Sequence, residues 1–150
     1  MVVNSEGTFD ILVVDDEPGD VELIRAAILE GRFVCRTSVA RDGAEAMAFL
    51  RRSKPEFQQA PTPDLILLDL NMPRMNGREV LKAIREDATL ARIPVVILTT
   101  SDVESDVLQT HDLGASGFVT KPVDIEKLFI AIHGVEDYWF GIVHGPRSRT

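Results

Sequence analysis

Five short apolar runs, each followed by a stretch in which apolar residues recur at helical spacing, limit this chain more than any other feature. Runs this short and this apolar suit strands buried on both faces, and strands that alternate with helices build a parallel sheet covered on both sides. The runs are Phe9 to Val14, Phe33 to Val39, Leu65 to Leu68, Pro94 to Thr99 and Gly117 to Thr120. After the first, Pro18 stands at a first helical turn, Val21, Ile24 and Ile28 form a stripe, and Gly31 reads as the stop. Asp42-Gly43-Ala44-Glu45 and Asn76-Gly77-Arg78-Glu79 carry the capping pattern of two further helices, which present Ala46, Phe49 and Leu50, and Val80, Leu81 and Ile84, to a core. Val103, Val107 and Leu108 mark a helix after the fourth run, and a last helix begins near Asp124. The expected fold class is α/β: a doubly wound, five-stranded parallel sheet with five flanking helices.

A chain of 150 residues has material for one such domain and hardly for a second. The expected division is an amino-terminal extension over 1–8, one domain over 9–140 and a tail over 141–150. The apolar runs are far too short to span a bilayer, and Met1 to Gly7 lacks the basic and apolar parts of a secretory signal. No membrane partner is expected, and the cytoplasm is the default compartment. A net charge of −8 repels phosphate backbones, so nucleic acid is not expected as a partner either. The single cysteine, Cys35, lies in an apolar run and reads as a buried thiol without a function. His111, His133 and His144 show no metal-ligand spacing.

In an open parallel sheet, ligands bind beyond the carboxyl ends of the strands. Polar residues fall there repeatedly: Asp15 and Asp16 after the first run, Asp69 after the third, Thr99 at the end of the fourth, Thr120 and Lys121 at the end of the fifth. Taken singly, Asp15 or Asp16 reads as a helix cap, Thr99 as a strand-end hydroxyl and Lys121 as a solvated charge. Asp69 differs, because a carboxylate closing a run as apolar as Leu65 to Leu68 borders a low-dielectric interior and needs a partner. Three converging carboxylates repel one another unless a cation compensates. Mg²⁺ suits such a cluster, with Asp16 and Asp69 as direct ligands, Asp15 through water and a main-chain carbonyl near Asn71. A carboxylate can also act as a nucleophile and form an aspartyl phosphate, for which Lys121 supplies a second positive charge.

The wording Val13-Val14-Asp15-Asp16-Glu17-Pro18, Asp64 to Pro73, Ile97-Leu98-Thr99-Thr100 and Val119-Thr120-Lys121-Pro122 resembles the receiver domain of two-component response regulators over roughly residues 9 to 135. The resemblance implies a flavodoxin-like receiver fold in which Asp69 takes a phosphoryl group from a sensor histidine kinase. It implies Mg²⁺ held by Asp15, Asp16, Asp69 and the Asn71 carbonyl, and Lys121 paired with the phosphoryl oxygens. The family's switch roles fall on Thr99, whose hydroxyl would bind the phosphoryl group, and on Phe118, whose ring would swing inward. Asn71 and Ser101 occupy the positions that tune phosphoryl lifetime, and neither is acidic, which implies slow self-hydrolysis. Finer wording, from Asn71 to Leu81 and from Val135 to Phe140, resembles the stand-alone regulators that partner bacterial phytochromes. That implies an upstream bacteriophytochrome and a phosphorylation-dependent signal carried by protein contacts.

Two other classes compete. An Mg²⁺-dependent aspartyl phosphatase on a related sheet commonly carries a second carboxylate two residues after its nucleophile, where this chain has Asn71. A receiver-like docking module without phosphorylation would not need every site residue, and all are present. The chain is therefore expected not to be an enzyme beyond its own phosphoryl transfer and dephosphorylation. Tyr138-Trp139-Phe140, Ile142 and Val143 exceed what one core needs. They either pack back on the domain or, as favoured here, form a homodimer surface with the fourth and fifth helices and the tail.

Overall fold

The computed structural model describes residues 7–70, 72, 75–99, 111–122 and 124–143. Five parallel strands, β1 (Thr8–Val14), β2 (Val34–Ala40), β3 (Leu65–Leu68), β4 (Val95–Thr99) and β5 (Gly117–Thr120), lie in the order β2-β1-β3-β4-β5. The chain winds from β1 outward to β2, returns across β1 to β3 and continues the other way, as a doubly wound sheet does. The described helices are α1 (Pro18–Glu30), α2 (Gly43–Arg51), α3 (Gly77–Glu86) and α4 (Ile125–Glu136). The helix expected around Val103, Val107 and Leu108 lies outside the described residues. No helix among those described is long and apolar enough to cross a membrane.

Alternation along the strands explains why the runs read as continuously apolar. Leu12, Val14, Ile66, Leu68, Val95 and Ile97 point into one core with α2 and α3, while Ile11, Val13, Leu65, Leu67, Val96 and Leu98 point into the other with α1 and α4. Two covered faces leave β1, β3 and β4 no side for water. Edge strand β2 is exposed along much of its length, Val34 included.

One helix start follows its sequence signal in full, and two depart from theirs. Asn76 and Glu79 exchange both hydrogen bonds of a capping box, at 3.1 and 3.0 Å. At α2, Asp42 accepts from the Glu45 N–H at 2.8 Å, but Glu45 accepts in return from Arg41, one residue earlier than the pattern predicts. At α1 the cap is Glu17, which accepts from the Gly19 N–H at 3.0 Å, so neither Asp15 nor Asp16 caps the helix.

Past α4 the chain widens into a π-type turn, Asp137–Val143, which folds back on the start of the domain. The Phe140 ring stacks on Phe9 at 4.0 Å and meets Phe33 edge-on at 5.6 Å. Tyr138, Ile142 and Val143 stay exposed, so the aromatic cluster divides between core and surface. Arg32 pairs with Asp137 at 2.9 Å, and His133 Nε2 lies 2.8 Å from the Ala27 carbonyl oxygen. Between them Glu136 is buried, accepting a long hydrogen bond from the Cys35 thiol at 3.8 Å. Burial, with the nearby Asp137 adding to it, pushes the Glu136 carboxyl up to about 7. Cys35 is half-buried, and desolvation together with the charge of Glu136 pushes its thiol up to about 12, which leaves it unreactive. Gly31 ends α1 in extended backbone, and what requires glycine there is proximity, since a Cβ would collide with the Glu136 carboxylate.

Candidate functional site

Register brings the acidic residues together. Val14 is level with Leu68, so Asp15 and Asp69 leave the sheet side by side. One more ladder bond fixes each: the Asp15 N–H donates to the Ala40 carbonyl at 3.0 Å and the Asp69 N–H to the Val14 carbonyl at 2.9 Å. Carboxylate oxygens of Asp15, Asp16 and Asp69 all lie within 4.8 Å of one another. Asp15 and Asp69 are buried, and Asp16 stands at the exposed rim.

Lys121 enters from the end of β5, its N–H donating to the Thr99 carbonyl at 2.6 Å. Its ammonium donates to Asp15 Oδ2 at 2.6 Å and to Asp20 Oδ2 at 2.9 Å, and lies 3.8 Å from Asp69 Oδ2. At 7% exposure this is no solvated lysine. Burial works to lower its pKa, but the hydrogen bonds to Asp15 and Asp20 outweigh that and hold it above the usual lysine value. Burial raises Asp15, against the pull of Lys121 and of the Glu17 N–H, which donates to Asp15 Oδ1 at 2.9 Å.

The other expected site residues fall around this centre. Thr99 is fully buried at the end of β4, level with Thr120, and Phe118 is half-buried against the core that holds Leu68 and Ile97. Asn71 and Ser101 lie outside the described residues. Gly77 opens α3 hard against the backbone that follows Asp69: its N–H donates to the Leu70 carbonyl at 3.0 Å, and a Cβ would strike the Asp69 carbonyl. A hollow of about 100 Å³ beside Asp15 and Asp16 is lined also by Arg25 and Arg41. A hollow of about 600 Å³ between Pro94, Ser116 and Trp139 lies at the amino ends of β4 and β5, away from Asp15, Asp16 and Asp69.

Asp20 is the residue that sequence reasoning missed. A carboxylate in the first turn of α1 passes as an ordinary helix-start charge, and its reach to Lys121 depends on tertiary placement. With Asp20 counted, three carboxylates, Asp15, Asp20 and Asp69, face one ammonium, and Asp16 adds a fourth to the cluster. That surplus of hard oxygen donors fits a divalent cation, for which Asp15, Asp16 and Asp69 are the candidate ligands.

The family model of the response regulator receiver domain matches residues 11–133. The chain belongs to this family. The receiver domain is 40% identical over 138 residues to response regulator Rcp1 of Synechocystis sp., across 92% of this chain and 93% of that protein. Among solved structures, the phosphorylated cyanobacterial phytochrome response regulator RcpA superposes with a TM-score of 0.84 at 42% identity, covering 89% of this chain and 94% of that one. The Mn²⁺-bound form of Rcp1 gives a TM-score of 0.82 at 39% identity, covering 89% and 96%. The receiver is thus close to phytochrome response regulators in sequence and in fold.

Proposed function

We propose that Asp69 accepts a phosphoryl group from a phosphohistidine on a sensor histidine kinase, and that the modified receiver signals by altered protein contacts. The observation that carries this is the convergence of Asp15, Asp16 and Asp69 within 4.8 Å beside the buried Lys121 ammonium. In the transfer a carboxylate oxygen of Asp69 bonds to phosphorus as the histidine N–P bond breaks, and the imidazole leaves with the electron pair. Lys121 lies near enough to Asp69 to take up charge on the transferred group. Asp15, Asp16, Asp69 and the Asn71 carbonyl are the residues that would hold Mg²⁺. Bound there, the ion supplies charge neutralisation for the incoming dianion. Thr99 and Phe118 carry the response: the hydroxyl binds the phosphoryl group and the ring fills the space it leaves.

The partner we propose is a bacteriophytochrome kinase, supported by the likeness to RcpA and Rcp1. Exposed Ile125, Ile130, Tyr138, Ile142 and Val143 support a homodimer through α4 and the tail, with the helix expected around Val103, Val107 and Leu108 beside them. The first test is intact mass after incubation with Mg²⁺ and acetyl phosphate. A single acid-labile phosphoryl adduct is expected on the wild type, absent from Asp69→Asn and from Mg²⁺-free samples. No adduct, or an equal one on Asp69→Asn, would sink the proposal.

A further inference from the structure

Lys121 has a partner that phosphoryl transfer does not use. Asp20 Oδ2 lies 2.9 Å from Lys121 Nζ, nearer than Asp69 Oδ2 at 3.8 Å. It stands outside the group formed by Asp15, Asp16 and Asp69, and its side chain is 38% exposed where the lysine is 7% exposed. An ammonium has three donor protons, and two are committed here to Asp15 and Asp20. Resting on the reading that Asp69 is phosphorylated, we propose that Asp20 is a positioning residue that draws the Lys121 ammonium aside from Asp69 and competes with the phosphoryl oxygens for it.

The physical reason is a balance of charges around one cation. A phosphoryl group on Asp69 adds negative charge and strong acceptor oxygens on one side of Lys121, while Asp20 goes on pulling from α1. Asp15 cannot be the adjustable partner, because it also belongs to the candidate metal ligands. Asp20 can be altered without touching them. It therefore sets how readily the resting receiver gives up its lysine, and how firmly the modified one keeps it. A merely structural role at the start of α1 predicts the reverse signature, a loss of stability with no gain in binding at Asp69.

The probe is beryllium fluoride, a phosphoryl mimic, titrated into the full chain at saturating Mg²⁺ and followed by ¹⁹F resonance. Asp20→Asn and Asp20→Ser are expected to bind it roughly fivefold more tightly than wild type, and Asp20→Glu about as wild type does. In chelator, without the mimic, the Lys121 ammonium protons should exchange with water faster in Asp20→Asn than in wild type. Equal or weaker binding by the Asn and Ser variants, beside a normal wild-type adduct, overturns the role of Asp20 alone. If the wild type itself forms no adduct, the phosphorylation reading falls, and this inference with it.

Discussion

Asp15 and Glu136 are equally buried, each 2% exposed, and they sit at opposite ends of the packing between α1 and the carboxyl-terminal half of the chain. Asp15 has a lysine ammonium at 2.6 Å and a backbone N–H at 2.9 Å. Glu136 has the Cys35 thiol at 3.8 Å, with Arg32, the cation that lowers its pKa, turned aside to Asp137. Desolvation dominates both carboxyl groups and raises both. The contrast teaches that burial alone does not make a carboxylate useful. A close cation pulls Asp15 back toward its charged form against burial, whereas Glu136, without one, titrates near neutrality.

Taking the cation from Asp15 should break the contrast most. In metal-free buffer, Lys121→Met is expected to lower unfolding stability by about 3 kcal/mol, read by chemical denaturation, because it strands the carboxylate. A change below about 0.5 kcal/mol would mean that Asp15 does not depend on Lys121.

Removing the charge at the other end sharpens the comparison. Glu136 has a folded pKa raised above its usual value, so the folded chain binds the extra proton. Its stability contribution is full below the unfolded pKa and is lost as pH rises through about 7. Wild type should therefore lose up to about 3 kcal/mol from this group between about pH 5 and pH 8, and Glu136→Gln should not. Parallel pH profiles for the two proteins would refute the assignment. The smallest effect is expected at Arg32, whose pair with Asp137 is exposed on both sides. Arg32→Ala should cost no more than about 0.5 kcal/mol and move the Glu136 midpoint slightly upward.

Most of the architecture was legible because strands buried on both faces cannot hide. Leu65 to Leu68 feed alternate residues into two cores, and a run without polar residues is the trace this leaves in sequence. Asn76 and Glu79 were equally plain, since a capping box is local. Asp15, Asp16, Asp69 and Lys121 could be gathered into one place because parallel strands place their carboxyl ends together. Glu136 could not be foreseen: a glutamate beside Asp137 at a helix end reads as solvated, and tertiary packing against Gly31 and Cys35 covers it. Nor could Phe140 be told from Tyr138, because a π-type turn changes which residues face inward.

Phe140 has a bearing on how the molecule is made. Its ring fills the place between Phe9 and Phe33, two residues synthesised well before it. While β1, β2 and α1 assemble, that slot has no occupant, and it stays open until the last helix and the turn beyond it have emerged. A nascent chain halted just short of Phe140 therefore presents two aromatic rings to whatever chaperone attends it, and the final turn closes the second core.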